Sequence, residues 1–393
     1  MMRILVLLLL LFTVSVERSF AQSDTPPSPS SNGLFSCKPG PWGDLDYYYV
    51  HLEAPDHIVD LVAAPSSRTS WFFPGKTLEE VKAILTTALI TREEQEAMLE
   101  EALQFQLNPP YRIFPPTEIV ERMNPLSRQA LYRELRPWSE NRFFHRPVII
   151  ETGNVESWFA DSGLSAETIS RIARMTYRIG DSLAFSDVSA ILSRISTDHE
   201  EREFLKALTR TRSLVLRLKV SQESDFESLK NYWSVGKKSK DILPFFESIS
   251  QTPDRETIDV IHLLPPTPRK YLNTFPPLSL GIEGQFPGSL WTTMNFFRYS
   301  PLIDFDDPEY SKAFVRKFYE TAEQPYQFGD IILINDPVSG RTSHTCNYVA
   351  DDIVYTKNGR SILKPFVFMK LSDMLSLYST EARPAIEVWR ARE

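Results

Sequence analysis

A run of prolines divides the chain into two parts with different hydrophobic periods. Before Pro276-Pro277, apolar residues recur at helical spacing, as they do over residues 78–89. After these prolines, short apolar runs alternate with turn residues, which predicts the strands of a small antiparallel sheet. We therefore predict an α+β protein, with a mainly α-helical domain of unknown role over residues 34–275 and an α+β domain over residues 280–390.

The first residues have the pattern of a secretory signal peptide. Arg3 supplies a positive charge, an unbroken apolar run extends from Ile4 to Phe12, and small residues end at Ala21, where cleavage is expected. Residues 22–33 are rich in serine and proline, which predicts a flexible leader. An uncleaved anchor is the alternative, but the apolar run is shorter than the roughly 20 residues that span a bilayer. We expect an exported chain, periplasmic or secreted, with no membrane span after cleavage.

The charge of the chain argues against a nucleic-acid partner. Its net charge is −8 at pH 7, whereas nucleic-acid binders carry basic patches. No cofactor is expected, and no metal site either, because two cysteines with few nearby histidines do not make a zinc site.

The two cysteines, Cys37 and Cys346, are candidates for one disulfide. In an oxidising compartment an isolated pair of cysteines can form a bridge. Such a bridge would join the start of the mature chain to its last domain. Simple core packing of Cys346 is the alternative.

The region before the prolines contains no catalytic constellation. Thr77 and Glu80 have the spacing of a capping box, as do Thr91 and Glu94, and each pair predicts a helix start. Alternation over residues 214–220 predicts a strand. Helical patterns are predicted again over 223–233, 240–249 and 255–263. Single histidines, each more often a core or surface residue than a ligand, are His51, His57, His145, His199 and His262.

Polar residues in the last third follow one another in a suggestive order. Ser289 lies in a loop that leads into a helix. Gly329 and Asp330 form a turn into a strand. His344 begins the next strand, and the strand after that ends near Thr356.

This order resembles the NlpC group of papain-like hydrolases, over about residues 280–380. In that group a cysteine opens a helix, a Gly-Asp turn starts the first strand, and a histidine and a polar third residue lie on the next two strands. The resemblance implies a papain-like fold with His344 as the base and a third catalytic residue near Thr356, Lys357 or Asn358. Thr356 is the candidate because it could accept a hydrogen bond, although the family prefers histidine, asparagine or glutamine there. Lys357 would repel an imidazolium at that third position, and Asn358 is of a suitable type but lies in a turn.

The family's nucleophilic cysteine is replaced by Ser289. A helix N-terminus and a histidine can stabilise a thiolate, but a serine hydroxyl does not ionise in that way. Ser289 would need His344 as a true general base and a third group to orient the ring. Cys346 is an alternative nucleophile near His344, although a strand offers no helix dipole to lower its pKa.

Four residues are candidates for lining a cleft beside Ser289. Phe286 and Trp291 offer large aromatic surfaces to a glycan or a peptide, although core packing is the commoner role of such rings. Lys357 and Asn358 lie near the third catalytic position and are expected on the same cleft.

Three interpretations of function remain open. The first is an exported bacterial envelope protein with a degenerate papain-like domain, which binds a cell-wall peptide or a protein partner. The second is an active serine-dependent hydrolase or acyltransferase that uses Ser289 and His344. The third is a purely structural envelope protein. The first two require Ser289 and the His344 imidazole to face each other across one cleft.

Overall fold

The computed structural model describes residues 33–105, 110–180, 182–235, 239–252, 256–378 and 384–392. The expected signal peptide, and the leader up to residue 32, lie outside these ranges. Within them, no helix has the length and apolar character needed to cross a bilayer. Helices combine with small antiparallel sheets, which confirms the α+β class.

The first half of the chain is built from short helices and short strands. Its helices are α1 (Asp56–Val59), α2 (Leu78–Thr87), α3 (Arg92–Phe105), α4 (Thr117–Arg122), α5 (Pro125–Leu135), α6 (Arg142–His145), α7 (Val155–Phe159), α8 (Ala166–Arg174), α9 (Val188–Leu192) and α10 (Asp198–Ala207). Its strands are β1 (Phe35–Ser36), β2 (Leu45–Leu52), β3 (Trp71–Phe73), β4 (Tyr111–Ile113), β5 (Val148–Ile150), β6 (Tyr177–Ile179) and β7 (Ser182–Phe185).

The second half carries the longer strands. Its strands are β8 (Thr211–Lys219), β9 (Thr257–Asp259), β10 (Tyr319–Thr321), β11 (Ile331–Asn335), β12 (Thr342–Ala350), β13 (Ile353–Lys357), β14 (Phe366–Lys370) and β15 (Ala385–Ala391). Its helices are α11 (Phe226–Trp233), α12 (Ser239–Ser250), α13 (Pro266–Tyr271), α14 (Ser289–Met294), α15 (Pro308–Phe318) and α16 (Leu371–Tyr378).

Local signals explain many of these boundaries. The Thr77 side chain accepts from the Glu80 amide, and the Glu80 carboxylate accepts from the Thr77 amide at 2.7 Å, so the predicted capping box is present. The helix expected over 255–263 is wrong: β9 pairs with β8, and a 3₁₀ turn follows at Val260–Leu263.

Two sheets carry most of the strand pairing. One has the order β1-β2-β8-β9, and the other has the order β10-β15-β11-β12-β13-β14. All neighbours in both sheets are antiparallel. The strands predicted after the Gly-Asp turn and around His344 are confirmed, and both belong to the six-stranded sheet.

The hydrophobic core does not divide where the sequence suggests a domain edge. One core lies within residues 71–207. A second core joins Leu45 and Leu216 to Trp291, Val349 and Phe368. The edge expected between residues 275 and 280 therefore runs through a shared core, because the sheet with β8 packs directly against β14.

Candidate functional site

A cleft of about 890 Å³ lies between the six-stranded sheet and the helices α14 and α15. Its wall includes Ser289 and His344, together with the end of α16 at Tyr378. Two of the residues expected to act together thus border the same cleft.

Ser289 is the first residue of α14 and is partly exposed. Its hydroxyl oxygen accepts a hydrogen bond from the Thr345 amide at 3.4 Å. The serine therefore contacts the backbone of β12 one residue beyond His344.

Thr356 fixes the orientation and the tautomer of His344. The Thr356 hydroxyl lies 2.7 Å from Nε2 of His344 and donates to the carbonyl of Thr345 at 3.2 Å. Because a hydroxyl has one hydrogen and a carbonyl can only accept, Nε2–H must be the donor to Thr356. The basic nitrogen of the ring is then Nδ1.

The imidazole leaves β12 on the face of the sheet that α16 covers. His344 pairs with Ile334, and its ring stacks on Tyr378 with the centroids 4.5 Å apart. Ile334 and Met374 of α16 belong to the same buried cluster.

Ser289 approaches the sheet from the other side. At the other end of the same helix, Met294 packs with Ile331 and Leu333 of β11. These two residues alternate along the strand with Ile332 and Ile334, which point to the opposite face. Among the described residues, no hydrogen bond joins Ser289 to the His344 ring. The structure brings the two residues to one cleft but does not form the expected pair.

Burial keeps the His344 imidazole uncharged. The residue is 3% exposed, and burial lowers its pKa from 6.5 to about 3. At neutral pH the ring is therefore a neutral imidazole and a weak base.

This depressed pKa predicts a pH dependence of stability. The unfolded chain binds the proton near pH 6.5 and the folded chain only near pH 3. Stability from this site is therefore present above about pH 6.5 and decreases as the pH falls, by up to roughly 1.4 kcal/mol per pH unit. The free energy of unfolding is measured in urea at several pH values between about 4 and 6. His344→Gln should lower the slope of this free energy against pH by about 1 kcal/mol per pH unit. Equal slopes for the wild type and His344→Gln would contradict a buried neutral ring. The difference between their unfolding free energies at pH 7 measures the packing loss separately.

The four residues expected to line the cleft lie elsewhere. Trp291 is 1% exposed and packs in the core shared by the two sheets, and Phe286 packs in a separate cluster with Ile58. The Trp291 ring is buried because α14 presents its apolar side to the sheet rather than to solvent. Phe286 precedes that helix and is buried against Ile58 instead.

Lys357 and Asn358 are tied to the chain around them. The Lys357 ammonium donates to the carbonyls of Gly359 and Ser361 at 2.7 and 3.0 Å, and burial lowers its pKa to about 7. The Asn358 amide contacts the sulfur of Met369 at 3.4 Å. The cleft is bordered here by Gly359 and Arg360 instead.

Both cysteines are free thiols, so the candidate disulfide is absent. Cys346 lies on β12 and is fully buried on the face of the six-stranded sheet that α16 covers, in a different cluster from the one that Cys37 packs against. Burial raises the pKa of both thiols. A buried thiol with a raised pKa is inert, which argues against Cys346 as a nucleophile.

Sequence reasoning missed the charged part of the cleft wall. Lys312 and Arg316 lie on α15, and Arg341 lies in the loop before β12. The i, i+4 spacing of the first two is visible in the sequence, but the spacing alone does not indicate that this side of the helix faces a cleft. Trp389 lines the cleft from β15, a strand for which no prediction was made.

No group of three metal-ligating side chains occurs in the part of the chain that the structure describes. Comparisons with known proteins gave no matching family model, no similar curated protein and no similar solved structure. The resemblance to the NlpC group therefore depends on the order of residues quoted above.

Proposed function

We propose that this chain is an exported envelope protein whose C-terminal part is a degenerate papain-like domain. In this proposal the domain binds a cell-wall peptide or another envelope protein in the cleft and does not cut it. The observation that carries the proposal is that Ser289 and His344 border one cleft but form no hydrogen bond with each other among the described residues, while the His344 ring stacks on Tyr378.

The absence of that contact bears directly on catalysis. A serine attacks a carbonyl only when a base removes its proton during the attack. His344 is a weak base here because its pKa is about 3. The nearby Lys357 ammonium is engaged with two carbonyls.

The cleft itself supports a binding role. Its volume of about 890 Å³ falls within the roughly 300–1,000 Å³ of small-molecule sites. Apolar side chains such as Val315 and Leu333 share its wall with the Trp389 ring. A ligand could therefore bury apolar surface against the sheet while its polar groups contact α15.

One observation favours the competing proposal of an active hydrolase. Thr356 accepts from Nε2–H of His344 and leaves Nδ1 as the basic nitrogen. A catalytic histidine likewise has one ring nitrogen held by a third residue and the other free to act as the base. A rotation of the ring away from Tyr378 would then be needed to bring it to Ser289.

Labelling with a fluorophosphonate probe distinguishes the two proposals. We expect no labelling of the mature protein and no release of soluble fragments from purified peptidoglycan. Ser289→Ala should behave like the wild type, and Ser289→Cys should remain inactive because, in the described structure, the imidazole makes no hydrogen bond to residue 289 and is a weak base. Binding should still be detected as co-sedimentation with peptidoglycan or with an envelope protein. Hydrolysis or labelling that Ser289→Ala abolishes would overturn the proposal in favour of the active enzyme.

A further inference from the structure

We infer that the cleft recognises an anionic group of its ligand, a carboxylate or a phosphate, through Lys312, Arg316 and Arg341. This inference rests on the proposed function, since it concerns what the same cleft binds. It names a chemical class of ligand that the resemblance to papain-like enzymes does not supply.

The three cations reach the cleft from two separate elements. Lys312 and Arg316 are four residues apart on α15, so both project from the same side of that helix. Arg341 closes the β11–β12 loop, where the Asp336 amide donates to its carbonyl at 2.8 Å. All three line the cleft.

The carboxylates of the cleft form no ion pair with these three cations among the described residues. Asp306 forms an ion pair with Arg360. The Glu387 carboxylate accepts from the Trp389 indole at 2.9 Å and from the Asn335 amide at 3.4 Å. Glu309 lies on the first turn of α15 and forms no ion pair with Lys312 or Arg316 in the described structure.

Within the described ranges, Lys312, Arg316 and Arg341 form no ion pair with these or other acidic residues. The cleft wall carries four cations, the three named and Arg360, against the three carboxylates of Asp306, Glu309 and Glu387, so its net charge is +1. An excess of positive charge on a concave surface raises the local concentration of anions.

Buried hydroxyls at the floor of the cleft provide a second, independent observation. Thr293 on α14 and Thr345 on β12 line the cleft, and they are 2% and 4% exposed. In the described structure, neither side-chain oxygen has a hydrogen-bond partner. Buried polar atoms are almost always paired, so these oxygens indicate a place for a polar ligand atom or an ordered water between α14 and β12.

Ser289 completes this floor. Its oxygen accepts from the Thr345 amide, which leaves its hydroxyl hydrogen free to be donated. Carboxylate and phosphate oxygens accept hydrogen bonds from hydroxyl, ammonium and guanidinium groups alike. A neutral ligand of the same size could accept hydrogen bonds from the three cations but would gain no charge–charge attraction.

Titrations with three small probes test the inference. The mature protein is titrated with glutarate, with its neutral analogue glutaramide and with inorganic phosphate, and the Trp389 indole NMR signal, assigned with Trp389→Phe, is followed. We expect saturable shifts with at least one of the two anions and none with glutaramide. A response to glutarate alone identifies a carboxylate ligand, and a response to phosphate alone identifies a phosphoryl ligand.

Charge-neutralising variants connect the binding to the named residues. Arg316→Gln should weaken anion binding by about tenfold or more, the loss expected for one charge-assisted hydrogen bond. The control Lys317→Gln, on the same helix but outside the cleft wall, should leave it within about twofold.

Equal binding of glutaramide and glutarate, no binding of either anion, or an unchanged affinity in Arg316→Gln would overturn the inference. None of these results bears on catalysis. The proposed function is tested separately, and Ser289-dependent hydrolysis would overturn it.

Discussion

Replacing Asp187 by alanine is expected to lower the free energy of unfolding by about 3 to 5 kcal/mol. Asp187 and Arg128 are 1% and 0% exposed, and they form an ion pair inside the core of residues 71–207. The Tyr132 hydroxyl donates to the same carboxylate. Removing the carboxylate would leave a buried guanidinium without its charge partner, and this residual charge dominates the cost.

The rest of the site cannot compensate for the loss. Arg128 also donates to the carbonyl of Val120 at 2.6 Å, which satisfies one nitrogen but supplies no negative charge. Its Nε already has no hydrogen-bond partner in the described structure. The guanidinium cannot reach water without opening the packing of α4, α5 and α9.

Urea unfolding at neutral pH measures the effect. Arg92→Ala serves as the control, because the Arg92–Glu96 pair on α3 is solvent-exposed and such a surface pair adds little to stability. Asp187→Asn, which keeps the size and one acceptor, should fall between the two and remains measurable if the alanine variant does not fold. A loss below about 1 kcal/mol for Asp187→Ala would show that the pair is not isolated from solvent.

Gly329→Ala should be the second strongly destabilising change, by about 2 to 5 kcal/mol. Gly329 has φ of +89°, and a Cβ built there would lie 2.1 Å from Cζ of Phe297. Its amide donates to the carbonyl of Tyr348 at 2.8 Å, which holds the turn before β11 against β12. The substitution therefore combines backbone strain with a collision against an aromatic ring.

Gly340→Ala separates these two contributions. Gly340 also has a positive φ, of +66°, but a Cβ there would meet nothing within 4 Å. It should cost only the strain, about 1 to 2 kcal/mol. In the Phe297→Ala background the cost of Gly329→Ala should fall towards that of Gly340→Ala. Equal unfolding midpoints for Gly329→Ala and the wild type would contradict the close approach of Phe297.

The elements that sequence reasoning predicted well are those fixed by local chemistry. The start of α2 follows from the reciprocal bonds of Thr77 and Glu80, and β11 follows from an apolar run after a glycine turn. The placement of Ser289 at the start of α14 and of His344 on β12 could also be predicted, because a loop, a turn and an alternating pattern are short-range features.

The direction of the His344 side chain could not be predicted in the same way. The pairing of β11 with β12 shifts between Ile334 and Asn335, so that Asn335 pairs with Thr342 and Ile334 with His344. A shift of one residue exchanges the two faces of a strand. The face that His344 occupies therefore depends on the pairing of β12 with β11, which the sequence of β12 alone does not contain.

The roles of Trp291 and Phe286 were missed for a related reason. A large aromatic residue suits a ligand groove and a core equally well, and only the partner surface decides between them. For Trp291 that partner includes Tyr271 and Phe366, which come from distant parts of the chain.

The core shared by the two sheets means that the cleft is not a detachable module. Phe368 on β14 donates its amide to the Ser213 hydroxyl on β8, and the Tyr232 hydroxyl donates to the carbonyl of Val349. The part of the structure that supports α14 thus includes residues that lie far before Ser289 in the sequence. Sequence change around β8 and α11 would alter the shape of the cleft without touching its lining, so variation in ligand preference can arise far from the residues that meet the ligand.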